Sequence, residues 1–97
     1  MSDIVHQFPK NATEEVRASI TEYKGHKLID LRIYYEPEEG GERRPTKKGV
    51  TIDVGLYPEL KKAMMKMEKE LIRKALLKQD VLEGLERELA EMEARGT

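Results

Sequence analysis

The residues with chemistry to offer in this 97-residue chain are tyrosines standing beside cations. Tyr23 is followed at once by Lys24 and, after Gly25, by His26 and Lys27. Arg32 stands just before the pair Tyr34-Tyr35, and Lys47-Lys48 precede Gly49. Rings that stack on bases and cations that meet phosphates are the parts of a sequence-tolerant single-strand binder, at ~1–3 kcal/mol per stacked base. Aromatic residues are also common in strands for a plainer reason, because they pack well on a pleated, half-buried surface. Residue types alone leave both readings open.

Covalent chemistry has no comparable footing. Catalysis needs a nucleophile beside a base, paired carboxylates in a dry cleft, or metal ligands at short spacing. His6 and His26 have no HxH or HxxxH partner, and the acidic run Glu36, Glu38, Glu39, Glu42 lacks the Asp/Asn pattern of a calcium loop. GGERRPTKKG does not have phosphate-loop spacing, and no GxGxxG occurs. Zero cysteines exclude a disulfide scaffold, a zinc ribbon and a thiol nucleophile. The expectation is a non-enzymatic protein with no catalytic residues, no metal and no cofactor.

Eighteen Lys+Arg against nineteen Asp+Glu give a net charge of −1, which excludes a uniformly basic coat. Counted by segment, the balance is a sum of opposites. Residues 61 to 79 carry seven Lys/Arg against Glu68 and Glu70, whereas residues 80 to 97 carry six acids against Arg87 and Arg95. Further cations gather at the strand turns. Charged and hydrophobic residues each make up 38%, too apolar for a disordered polyampholyte and too charged for a large core. No apolar run approaches the ~18 residues of a membrane span, and MSDIVHQFPKNATEE does not read as an export signal. A cytoplasmic protein without membrane contact is expected, nucleoid-associated if prokaryotic.

The elements that must position these residues divide into strands in front and helix behind. Residues 1–13, with Pro9 and Asn11, read as a flexible N-terminal arm. VRASI alternates over residues 16–20, and Gly25 supplies the positive φ of a tight hairpin. A second strand over 27–35 sets Ile29, Leu31, Ile33 and Tyr35 on one face, with Asp30, Arg32 and Tyr34 on the other. EPEEGG over 36–41 is a loop. Two short strands follow, near 42–45 and 50–53, with Gly49 at the bend between them and Pro45 marking an edge. From Tyr57, read as a core residue, the pattern is helical. Pro58 suits the first turn, and Leu60, Met64, Met67 and Leu71 make one stripe. The register shifts after Leu71, and Asp80-Val81-Leu82-Glu83 matches a capping box, so the pattern allows either one long helix with a stutter or two helices in series with a break near 79–80. Leu82, Leu85, Leu89 and Met92 continue the apolar stripe beyond it.

The run VRASITEYKGHKLIDLRIYYEPEEGGERRPTKKGVTI resembles the single-stranded-DNA-binding domain of the transcriptional coactivator positive cofactor 4. The similarity spans about Glu15 to Leu60. It is carried by Tyr23-Lys24-Gly25, by Ile29-Asp30-Leu31-Arg32 leading into Tyr34-Tyr35, and by Pro45-Thr46-Lys47-Lys48-Gly49. The resemblance implies an α+β fold, a four-stranded antiparallel sheet followed by a long helix, assembled as an intertwined homodimer that holds single-stranded or melted DNA. It implies stacking by Tyr23 and Tyr35, and phosphate contacts by Lys24, Arg32, Lys47 and Lys48. Strict strand parity puts Arg32 and Tyr35 on opposite faces, so either a bulge realigns them or Tyr34 takes the stacking role. His26 stands where the family has a lysine, with Lys27 beside it to compensate. The implied domain covers 14–79, leaving 80–97 as a helical extension. Single-stranded DNA, a second copy, RNA and the transcription machinery are the partners considered. The rival from another class is a protein-interaction module working through the long helix.

Overall fold

The computed structural model describes residues 2–96. Strands β1 (Ser2–Pro9), β2 (Glu14–Tyr23), β3 (His26–Tyr35) and β4 (Arg44–Asp53) form one antiparallel sheet in the order β1-β2-β3-β4. A 3-10 turn, Val54–Leu56, leads into helix α1 (Tyr57–Arg73), and helix α2 (Gln79–Gly96) follows. A four-stranded antiparallel sheet followed by C-terminal helix, the architecture expected from sequence, is what the chain forms. Its contacts divide into two compact units, one ending at Pro58 and one beginning at Glu59.

The sheet is organised by alternation. Val16, Ala18 and Ile20 of β2 stand opposite Ile33, Leu31 and Ile29 of β3, and Leu31 and Ile29 in turn oppose Val50 and Ile52 of β4. Because side chains alternate across a strand, these residues line one aliphatic face. Each such cross-strand pair contributes roughly 0.2–1 kcal/mol. The other face carries Glu15, Arg17, Ser19, Thr21 and Tyr23 opposite Tyr34, Arg32, Asp30, Leu28 and His26. Among the described residues no aliphatic or aromatic side chain is buried, whereas Ser19, in the middle of the polar face, is buried at 7% exposure.

Four strands were expected, but two of them differ in kind. Residues Ser2–Pro9, read as an arm, form β1 along β2, with Phe8 opposite Val16 and His6 opposite Ala18. A bulge between Ile4 and His6 shifts the register there, so the alternation that would betray a strand is broken at Val5. The two short segments near 42–45 and 50–53 are one ten-residue strand, β4, and Gly49 lies within it rather than at a bend. Pro45 is tolerated because β4 is an edge strand whose outer side needs no N–H. Gly49 is required by proximity, since a Cβ there would lie 2.6 Å from the Leu31 carbonyl oxygen and 3.0 Å from the Arg32 Cα.

The β2–β3 hairpin turns through Lys24 (φ 51°) and Gly25 (φ 82°), two left-handed residues in succession, as the twist-matched two-residue turn demands. Just after β4, the Asp53 carboxylate accepts from the Gly55 N–H at 2.8 Å and caps the 3-10 turn. Tyr57, read as core, is 49% exposed.

In the second unit the helical stripe is present, with Leu60 and Leu71 half-buried and Met64 and Met67 exposed. The break falls at 74–78, earlier than the expected 79–80. Helix α1 ends in a Schellman motif: the Leu76 N–H donates to the Leu71 carbonyl at 2.8 Å and the Ala75 N–H to Ile72 at 2.9 Å. Ala75 takes the left-handed position (φ 58°) usually given to glycine. Asp80 therefore lies inside the first turn of α2 instead of capping it, where it still favours the positive end of the helix dipole.

Candidate nucleic-acid interface

Tyr23 ends β2 with its ring 63% exposed, and His26 is its cross-strand partner. The Lys24 ammonium lies 5.4 Å from the centre of the Tyr23 ring, so hairpin cation and ring are offered together. Eight residues along β3 from His26, on the same face, stands Tyr34. At a strand rise of ~3.3 Å per residue the two tyrosines mark the ends of a polar strip about 26 Å long. Arg32, Asp30 and Thr51 occupy its middle, with Ser19 between Asp30 and β1.

Not all the expected residues share this face. No bulge interrupts the β2–β3 pairing, so Tyr35 stays on the aliphatic side, opposite Glu14 and Arg44 at the strand end. Of the two alternatives, Tyr34 is the one that lies with Arg32. Lys27 also belongs to the aliphatic side by parity, and its ammonium is hydrogen-bonded to the Glu22 carboxylate. That contact lowers the Glu22 carboxyl and raises the Lys27 ammonium. Lys47 and Lys48 lie on edge strand β4 and are exposed, and neither ammonium has an ion-pair partner among the described residues.

Sequence reasoning passed over Arg17. Its guanidinium sits 4.1 Å from the Tyr34 ring centre and is hydrogen-bonded to Glu15, whose carboxylate also meets Arg43 at 3.5 Å. One face of Tyr34 is thereby already occupied by a cation. The usable signal was parity, since Arg17 and Tyr34 fall on the polar sides of two strands joined by one tight hairpin.

Arg32 is held most firmly. Its guanidinium pairs with both oxygens of Asp30, and Thr51 donates to Asp30 Oδ1 at 2.6 Å. Burial pushes the Asp30 carboxyl up, but the hydrogen bonds from Arg32 and Thr51 and the Arg32 charge outweigh it, leaving it below its ordinary value of 3.8. A carboxyl depressed on folding contributes stability above its unfolded pKa and loses it as pH falls through the folded value. Urea titrations from neutral pH to well below 3.8 are therefore expected to show an acid decline that Asp30→Asn flattens. An unchanged acid limb in that variant would assign the decline to other carboxylates.

No group of three or more His, Cys, Asp or Glu side chains among the described residues is arranged to hold a metal. What the polar strip offers is two exposed or half-exposed rings, cations at its turn and edge, and hydrogen-bonding side chains between them. Rings of this kind can stack on flat aromatic groups, and cations of this kind can meet phosphates.

The comparisons with known proteins agree on one family. Residues 10–63 match the family described as Transcriptional Coactivator p15 (PC4). The RNA polymerase II transcriptional coactivator SUB1 of Saccharomyces cerevisiae is 33% identical over 72 residues, 74% of this chain. The chain spans only 23% of that yeast protein's length. A PC4 homologue from Burkholderia pseudomallei shares the fold, with a TM-score of 0.64 at 23% identity over 71% of this chain and 92% of its own. MoSub1, solved in complex with DNA, is 29% identical with a TM-score of 0.52, over 71% of this chain and 83% of its own. The matched stretch runs from the turn before β2 through all of β3 and β4 into α1, more than half the chain, and this protein belongs to the p15 (PC4) transcriptional coactivator family.

Proposed function

We propose that this chain is a non-enzymatic, sequence-tolerant binder of single-stranded or melted DNA that acts in transcription regulation or in protecting melted DNA. The observation that carries this is the division of the sheet. Tyr23, His26, Arg32 and Tyr34 share a polar face, with Lys24 at its turn and Lys47 and Lys48 at its edge. The DNA complex of MoSub1 supports DNA as the ligand class. Bases would stack first on Tyr23, which is open, and phosphates would meet Lys24, Lys47 and Lys48. His26, the cross-strand partner of Tyr23, adds a hydrogen-bonding imidazole edge beside that ring. Tyr35 and Lys27, on the opposite face, act through the fold or through a partner copy.

A homodimer completes the reading. The aliphatic face of the sheet has no buried residue, and Met64, Met67, Leu85, Leu89 and Met92 are exposed on the helices. A second copy supplies the missing cover, with residues 14–79 as the working domain and 80–97 as an extension of the contact. Its compartment follows its ligand, the nucleoid in a prokaryote, and its family supports contact with the transcription machinery. Among the described residues no helix is long and apolar enough to cross a membrane.

The test is competition among single-stranded DNA, RNA and duplex of one length, across salt. Four to eight phosphate contacts predict a log–log salt slope of roughly −3 to −6 on single strands, at ~0.7 per contact. Equal affinity for duplex, or no binding at low salt, would sink the proposal. Preference for RNA would move the ligand to the 2′-hydroxyl class. The exposed helical stripes favour one rival, a module that recruits proteins through α1 and α2, and loss of a partner on deleting 80–97 with DNA affinity intact would support it.

A further inference from the structure

We propose that Arg32 is a positioning residue: its guanidinium shapes the Thr46–Lys48 bulge that presents Lys47 and Lys48. This rests on the reading above in which those lysines meet phosphate. The β3–β4 register jumps from Arg32 opposite Gly49 to Tyr34 opposite Pro45, so Ile33 alone faces Thr46, Lys47 and Lys48. Two surplus residues on β4 break the ladder there and leave backbone polar groups in need of partners. Side chains provide them. Arg32 Nη1 donates to the Thr46 carbonyl at 2.9 Å. The Thr46 hydroxyl donates to the Ile33 carbonyl at 2.8 Å and accepts from the Lys48 N–H at 3.1 Å.

The rest of the guanidinium is engaged as well. Nε donates to both Asp30 oxygens at 3.2 and 3.1 Å, and Nη2 donates to Asp30 Oδ1 at 2.8 Å and to Thr51 Oγ1 at 3.0 Å. Of its five N–H donors only one, on Nη1, is left over. A phosphate seeking Arg32 would compete with a two-oxygen carboxylate contact and be repelled by the same Asp30. Beyond the bulge, Gly49 lets β4 close back against Leu31 and Arg32, which pins the excursion at its other end. Lysine cannot replace Arg32 in this arrangement, because an ammonium lacks the planar fork that reaches Asp30 and Thr46 at once.

A double-mutant cycle separates positioning from contact. With a labelled oligothymidylate of roughly 20 nucleotides, Lys47→Ala with Lys48→Ala is expected to cut the salt slope by about 1.4 and affinity in 0.1 M salt by roughly 25-fold. Arg32→Lys is expected to lower affinity about fivefold or more in the natural background, and less than about twofold once both lysines are gone. Equal losses in the two backgrounds, or full affinity of Arg32→Lys, would overturn the proposal. Hydrogen exchange without DNA gives the second readout. The Lys48 amide is expected to exchange at least about tenfold faster in Arg32→Lys and in Thr46→Val, and unchanged protection rejects the positioning role. If the double alanine variant binds normally, the phosphate role of the lysines fails instead, while Lys48 exchange still judges the bulge.

Discussion

Heated at two concentrations tenfold apart, this protein is expected to unfold at midpoints about 3–6 °C apart, the more concentrated sample higher. The basis is the uncovered aliphatic face: Val16, Ala18, Ile20, Ile29, Leu31, Ile33, Val50 and Ile52 line one side of the sheet, yet no hydrophobic residue among those described is buried. A sheet of this size needs a packed face to be stable, and mass action ties that cover to concentration when a second copy supplies it. Each tenfold change in concentration is worth about 1.4 kcal/mol, which sets the size of the shift. Leu31→Asp sharpens the test. It places a carboxylate at the centre of the face, at a cost of roughly 3–5 kcal/mol per copy if that face is covered, enough to unfold the chain at micromolar concentration. Midpoints that coincide, together with a folded Leu31→Asp variant, would show that the sheet stands alone.

Tyr23→Ala is expected to cost about 1–3 kcal/mol of single-strand affinity, a loss of roughly 5- to 150-fold, with little change in melting temperature. The split follows from exposure, because a ring 63% open to solvent contributes little to packing and much to any base laid on it. Tyr35→Ala should behave in the opposite sense, since its ring belongs to the aliphatic side and its loss registers in stability before affinity. Tyr34→Ala lies between them: it removes a stacking surface and also leaves Arg17 without the ring beneath it. Fluorescence anisotropy with the same oligonucleotide and thermal unfolding on the same samples decide the matter. A Tyr23 variant that binds normally would remove the hairpin from the interface.

The legible parts of this molecule were those with uninterrupted period. β2 and β3 could be read directly, because Val16-Ala18-Ile20 and Ile29-Leu31-Ile33 alternate without a slip and Gly25 marks the turn between them. From these two strands alone, parity separated Tyr34 from Tyr35. What hid was irregular. β1 carries a bulge that places Ile4 and Val5 out of step with His6 and Phe8, so its apolar residues do not alternate over the whole length. β4 looked like two pieces because Pro45 and Gly49 are read as breakers, whereas one sits on a free edge and the other at a close approach. The helix break was announced by the register shift at Ala75, and the capping pattern around Asp80 drew the boundary too late. Long-range hydrogen bonds were out of reach altogether: nothing local in the sequence links Arg32 to Thr46 or Thr51.

Both outer strands of the sheet carry a bulge and a proline, Pro9 with the irregularity after Ile4 on β1 and Pro45 with the Thr46–Lys48 excursion on β4. An outer strand with regular, unpaired N–H and C=O groups is a template on which further strands add without limit. Here that template is spoiled twice, while the aliphatic face between the edges has no buried hydrophobic residue. Growth by strand addition is disfavoured at both edges, which leaves the aliphatic face as the surface for association and favours a small closed assembly over fibrils.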